Sequence, residues 1–148
     1  MSRDALATLI RVRRLACDDA QRQLVSALAA EARAQQLAHK VERAIARETE
    51  AASDTDSSDA MVEAFGAWLP GARRELEDAR RALLSTQAEA MRARAELTAS
   101  RTALETVEAL QKQRHEAARQ AAERNLQREL DDRPQTEAEL GDDAAAPC

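Results

Sequence analysis

The chain has 148 residues, of which 33% are charged and only 1% are aromatic. Although 44% of the residues are hydrophobic, many are alanines, which bury little apolar area, so the composition excludes a large rounded core and favours long helices. The net charge of −5 divides into +2 for residues 1–50, −4 for 51–70, +3 for 71–128 and −6 for 129–148, an uneven distribution that argues against a dedicated nucleic-acid-binding protein.

The cysteines and the hydropathy of the chain bear on its compartment. Cys17 and Cys148 are too few for a disulfide framework. Neither a signal peptide nor an apolar stretch of transmembrane length is present. We therefore expect a soluble, cytoplasmic protein with no direct membrane insertion.

The first predicted helix covers residues 3–50. Along it, apolar or small residues recur at alternating steps of three and four, which is the spacing of a heptad seam. The seam consists of Leu6, Ile10, Cys17, Ala20, Leu24, Ala27, Ala34, Ala38, Val41 and Ile45. Arg13 and Glu31 interrupt it.

A turn is predicted in residues 51–70, where serine and aspartate cluster. Ser58 or Asp59 is suited to cap a following short helix over residues 60–69. Pro70 is expected to kink that helix or to restart the chain. This segment also holds the only Phe and the only Trp, Phe65 and Trp68. The two aromatic residues either cover the end of the folded chain or form an exposed apolar patch for a partner.

The second predicted helix covers residues 71–132 and continues the seam. The seam of this arm starts at Leu69, just before the predicted helix. Its members are Leu69, Ala72, Leu76, Ala79, Leu83, Thr86, Ala90, Ala93, Leu97, Ser100, Leu104 and Val107. In an antiparallel pair of helices, the residue numbers of facing positions have a constant sum. Pairing Ile45 with Leu69 and Ile10 with Leu104 gives the same sum, 114, at both ends of the seam. We therefore predict an all-α fold, a long antiparallel two-helix coiled-coil hairpin over residues 1–132.

The predicted pairing ends near Val107. Beyond it the second helix lacks a clean apolar stripe, so we expect it to extend as a single charged helix. Residues 133–148 are acidic and rich in alanine, which predicts a disordered tail.

The sequence offers little for catalysis. The three glycines are scattered, so there is no phosphate-binding loop, and His39 and His115 lie on different arms without metal-ligand spacing. Cys17 falls in the seam, where it acts as a small apolar filler. We expect no catalytic, cofactor or metal site, and a protein that is not an enzyme.

A family resemblance follows from the overall pattern. The chain opens with LATLIRVRRLACDDAQRQL, turns back near its middle and continues with VEALQKQRHEAARQAAERNLQRELDD. Over nearly all of residues 1–132 it resembles the stalk family of type III protein-export systems, which comprises flagellar FliJ and the YscO/SctO proteins of virulence injectisomes.

The resemblance implies a function and partners. Members form a central stalk that couples a hexameric export ATPase to the export-gate protein of the inner membrane, and some also bind export chaperones. This chain would then be peripheral to the inner membrane through its partners. Both the flagellar and the injectisome assignment remain open.

The resemblance also implies two contact regions. Phe65, Leu69 and Ala72 match the apolar gate-contacting face of the family, whereas Leu76 stands where some relatives have a polar residue or histidine. With Trp68, these residues are the predicted gate-facing set. The ATPase-facing end is expected to include Arg11, Arg13, Arg14, Arg114 and Arg119.

Two other functions fit the same sequence: an export chaperone or adaptor that holds substrates, and a self-associating structural coiled coil.

Overall fold

The computed structural model describes residues 3–133 and shows two helices. Helix α1 is Arg3–Ser53 and helix α2 is Asp59–Asp131, with 51 and 73 residues. No strand occurs in this described range, so the all-helical prediction is confirmed. The chain divides into two compact units, Met1–Glu105 and Thr106–Cys148. The predicted disordered tail lies, from residue 134 onwards, outside the described residues.

The buried residues of the first unit follow the predicted seams. Every seam residue from Leu6 to Ile45, and from Leu69 to Leu104, is buried or half-buried. The most strongly buried side chains in the described range are Leu6, Ile10, Ala20, Ala38, Val41, Ala72, Ala79, Ala90 and Leu97. Five of these nine are alanines, so each layer of the core is thin and contributes little apolar area.

Helix α2 lies alongside α1 in this unit. Arg80 Nη2 in α2 donates a hydrogen bond to Glu42 Oε1 in α1 over 2.8 Å. Nearer the loop, side chains between Ala44 and Ala52 of α1 line one groove together with side chains between Met61 and Trp68 of α2. The chain therefore turns back within the loop, residues 54–58, as the serine- and aspartate-rich segment predicts.

The loop is held by short-range hydrogen bonds. The hydroxyl of Ser57 donates to the carbonyl oxygen of Ala51, and Asp54 Oδ1 accepts the backbone N–H of Asp56 at 3.4 Å. Ser58 Oγ accepts the backbone N–H of Met61 at 3.3 Å. Ser58 therefore caps the N-terminus of α2, which is one of the two caps that the sequence predicts.

The structure differs from the sequence prediction at Pro70. Helix α2 begins at Asp59 and continues through Pro70, so residues 60–69 are its first turns and not a separate helix. Proline lacks an N–H, so the carbonyl of Gly66 has no donor four residues later. Cooperative continuation of the helix on both sides outweighs this local loss.

The second unit is described for residues 106–133, which belong almost entirely to α2. Only Val107, Glu108, Gln111 and Ala121 are half-buried there, and the other side chains are exposed. Leu126 and Leu130 are among the exposed residues. This part of α2 therefore lacks a buried apolar stripe, as its sequence predicts.

Candidate functional site

The two aromatic residues lie together near the start of α2. Phe65 is half-buried, whereas Trp68 is 40% exposed. Their ring centroids are 6.0 Å apart and the rings are tilted by 38°, which is within the range of favourable aromatic pairs. The sequence left open whether the two aromatic residues cover the end of the folded chain or form an exposed apolar patch. The burial of Phe65 fits the first arrangement, and the exposure of Trp68 fits the second.

A groove of about 450 Å³ runs beside this pair. It is lined by Ala44, Glu48, Ala51, Ala52, Met61, Ala64, Phe65 and Trp68. Four of these side chains are alanines, and Glu48 is the one charged residue among them. The groove is therefore a shallow surface, lined by apolar residues apart from Glu48, between the last turns of α1 and the first turns of α2. We call it the turn groove.

The other residues of the predicted gate-facing set occupy more shielded positions. Leu69 and Leu76 are half-buried, and Ala72 is buried with 5% exposure. Their spacing from Phe65 places them in the seam, where they face α1. Their contact with a partner remains a prediction, and for Ala72 it would require the helices to separate.

Sequence reasoning missed Met61, which is 52% exposed and lines the groove with Trp68. Met61 and Trp68 are seven residues apart, so they lie on one face of α2 next to the seam. That spacing was the signal that could have identified the pair. The alanines of α1 that complete the groove carry no comparable signal, because alanine is common along the whole chain.

Acidic side chains surround the turn groove. Residues 44–72, which include every residue that lines the groove, contain six acidic residues and one basic residue, Arg47. The six are Glu48, Glu50, Asp54, Asp56, Asp59 and Glu63, and all are exposed. None forms an ion pair within residues 3–133. This end of the unit therefore presents unneutralised negative charge to solvent.

The predicted ATPase-facing arginines are all exposed. Arg11, Arg13 and Arg14 lie on α1 in the first unit. Arg114 and Arg119 lie on α2 in the second unit, where Arg119 Nε is 3.7 Å from Glu123 Oε1. Exposed arginines can meet an acidic partner, although their role here remains a prediction.

One charged cluster connects the two helices. Besides its contact with Arg80, Glu42 has its Oε2 3.4 Å from His39 Nδ1. The Arg80 hydrogen bond, followed by that of His39, lowers the pKa of Glu42 below the usual 4.5. The cluster connects α1 to α2, and all three of its side chains are open to solvent.

Other reactive groups are separated along the helices. No group of three or more His, Cys, Asp or Glu side chains could hold a metal ion in residues 3–133. Cys17 is a half-buried free thiol in the seam.

Neither helix, within its described length, is apolar enough to cross a membrane.

The chain was compared with protein-family models, curated proteins and solved structures, and no match was found in any of the three.

Proposed function

We propose that this chain is an antiparallel two-helix coiled coil that acts as the central stalk of a bacterial type III protein-export apparatus. In this role it couples the hexameric export ATPase to the export gate of the inner membrane and works in the cytoplasm. The sequence resemblance to flagellar FliJ and the injectisome YscO/SctO proteins motivates the proposal. The observation that carries it is the alanine-rich buried stripe between α1 and α2, which is broken at the exposed Arg13.

A narrow stripe of small residues suits a stalk for a mechanical reason. Alanine layers let two helices approach closely, and close contact along many turns resists bending and sliding. Helix α1 alone has 51 residues and therefore extends about 75 Å at the α-helical rise. Such a pair can connect partners at different places along its length.

The charged surface supports contacts with a multisubunit ring. The arginines at positions 11, 13, 14, 114 and 119 are exposed, so they can form ion pairs at the rim of an interface. Rim ion pairs orient and steer partners more than they add affinity. A stalk inside a ring needs such weak, salt-sensitive contacts, since it meets several subunits in turn.

The test is stimulation of the purified export ATPase, measured by phosphate release. Wild-type protein is expected to stimulate hydrolysis, and the effect should fade as salt rises. Changing Arg11, Arg13 and Arg14 to Glu should reduce stimulation several-fold. Helicity should hardly change, because exposed ion pairs contribute only about 0–1 kcal/mol each. The matched control changes the exposed Arg73, Arg74 and Arg92 to Glu, and it should keep stimulation.

A second arm of the test concerns the partner near the turn. Changing Phe65 and Trp68 to Ala should abolish binding to the export-gate protein while ATPase stimulation is kept. An export chaperone would lose substrate binding with the same changes and would show no stimulation at any salt. A structural coiled coil would sediment as a dimer. Absence of stimulation by the wild type would rule out the stalk role.

A further inference from the structure

The turn groove combines three features that together specify a class of ligand. It is walled by two helices, four of its eight lining residues are alanines, and residues 44–72 around it carry six acidic residues against a single arginine, Arg47. We propose that the turn groove binds an amphipathic helix of a partner protein, with basic residues flanking the apolar face of that helix. This inference adds a class of ligand to the proposed partner site near the turn. It rests on the proposed stalk function only for which protein carries that helix.

The shape of the groove favours a helix over an extended peptide. No strand edge with unpaired backbone groups occurs in residues 3–133, so a peptide cannot add to a sheet here. Ala44, Ala51 and Ala64 leave room at the surface, whereas Met61 and Trp68 project beside them. Small residues next to large ones accept the ridge of a third helix, and close interaxial distances depend on such small side chains.

The charge around the groove defines the flanks of the ligand. Six exposed carboxylates within residues 44–72, unpaired in the described part of the chain, outnumber the one arginine of that segment, Arg47. They attract lysine and arginine and repel acidic segments. The same charge disfavours an anionic membrane surface as the occupant. It also disfavours the C-terminal residues 134–148, which contain four acidic residues and no lysine or arginine.

Trp68 provides a direct readout, because it is the only tryptophan and the chain has no tyrosine. It is 40% exposed, so its fluorescence should shift to the blue and resist iodide quenching when a helix covers it. Three synthetic peptides of about 18 residues, or five helical turns, serve as probes. They share one Leu/Ala face and differ only in their flanks, which are Lys, Glu or Gln.

The Lys-flanked peptide is expected to shift the Trp68 emission and to bind at least about tenfold more tightly than the Glu-flanked one at low salt. The difference should shrink as the ionic strength rises. Equal affinity of the Lys and Glu peptides would overturn the assignment of basic flanks. Failure of all three peptides would overturn the groove as a helix site. No export component is used, so this failure and failure of the stalk proposal are separate outcomes.

Variants locate the binding surface. Ala64→Gln fills the groove without changing charge, and Ala64 is exposed, so the fold should be kept. It should weaken the Lys peptide about tenfold, whereas Ala46→Gln, an exposed alanine outside the groove, should not. Equal effects of the two would place binding elsewhere.

Two further occupants are tested with the same fluorescence. A variant that lacks residues 134–148 should leave the Trp68 emission of the free protein unchanged, and a red shift would show that these residues cover the groove instead. Dilution of the wild type should likewise leave the emission unchanged. A concentration-dependent blue shift, with dimers in sedimentation, would make a second copy the occupant.

Discussion

At the scale of single residues, the clearest cross-helix contact is polar. Glu42 accepts a hydrogen bond from Arg80 at 2.8 Å and lies beside His39. The buried stripe is periodic, so it offers several registers that differ by whole heptads. A specific ion pair between the helices favours the one register in which its two partners meet.

The pH dependence of stability should reveal this contact. The pKa of Glu42 is lowered in the folded chain, chiefly by the hydrogen bond from Arg80. The ionised carboxylate therefore stabilises the fold at pH values above about 4.5, the ordinary pKa of the group. The contribution is lost as the pH falls from that value through the lowered folded pKa. We expect the melting temperature of Glu42→Gln to lie below that of the wild type at pH 6 and to converge with it in acid, as measured by circular dichroism.

Replacing the partner provides the control. In an Arg80→Gln background, the Glu42→Gln substitution should lower the melting temperature by less, and its effect should depend less on pH. With Arg80 present, Glu42→Gln should change the melting temperature by an amount that depends on pH. An equal change at every pH would show that the Arg80 contact does not contribute to stability in solution.

At the scale of elements, the burial of each helix differs sharply between its faces. Leu97 of α2 is 7% exposed, whereas Leu84 of the same helix is 66% exposed. Both are leucines inside α2, but Leu97 lies in the seam and Leu84 lies outside it. They therefore make a matched pair for measuring how much the stripe stabilises the fold.

Leu97→Ala should lower the free energy of unfolding by about 2 kcal/mol, the low end for a buried leucine, because the alanine-rich layers around it are thin. Leu84→Ala should change it by less than about 0.5 kcal/mol. Urea unfolding followed by circular dichroism measures both. Similar losses for the two variants would contradict the observed assignment of faces.

Pro70 gives a second test at this scale. A proline inside a helix costs about 3 kcal/mol relative to alanine, so Pro70→Ala should stabilise the chain, by roughly 1–3 kcal/mol if the helix has partly relaxed around it. The control is Gly71→Ala, whose added Cβ meets nothing within 4 Å. It should stabilise by only about 0.5–1 kcal/mol. A loss of stability in Pro70→Ala would show that the proline ring has a packing role.

At the scale of the whole molecule, we expect the proposed coiled coil to form within one chain. The loop spans only residues 54–58, and the loop hydrogen bonds favour a tight reversal. Such a short connection gives the two helices a high effective concentration for each other. Pairing between chains is correspondingly disfavoured.

Cross-linking should confirm a monomer. Cysteines introduced at Val41 and Ala72, both buried in the first unit, should form a disulfide within one chain in a Cys17→Ala, Cys148→Ala background. Non-reducing gels and sedimentation velocity measure the product. Intermolecular disulfides together with dimers would favour the self-associating structural coiled coil.

Several features of this protein could be predicted from the sequence. The helical class and both seams follow from a local pattern, because apolar spacing of three and four residues depends only on the pitch of the helix. The cap at Ser58 is also local, since its hydroxyl reaches the third residue of the helix that it begins. For the same reason the loss of the stripe after Val107 was visible in the sequence.

The tertiary structure decided what depends on how the two helices face each other. Whether Trp68 is covered, and which alanines of α1 line the groove beside Met61, depends on the relative rotation of the helices about their axes. A constant sum of residue numbers is consistent with one alignment along the axes but does not give that rotation. The sequence prediction of a separate helix ending at Pro70 was wrong, because the local cost of a proline in a helix competes with the packing of the turns on both sides.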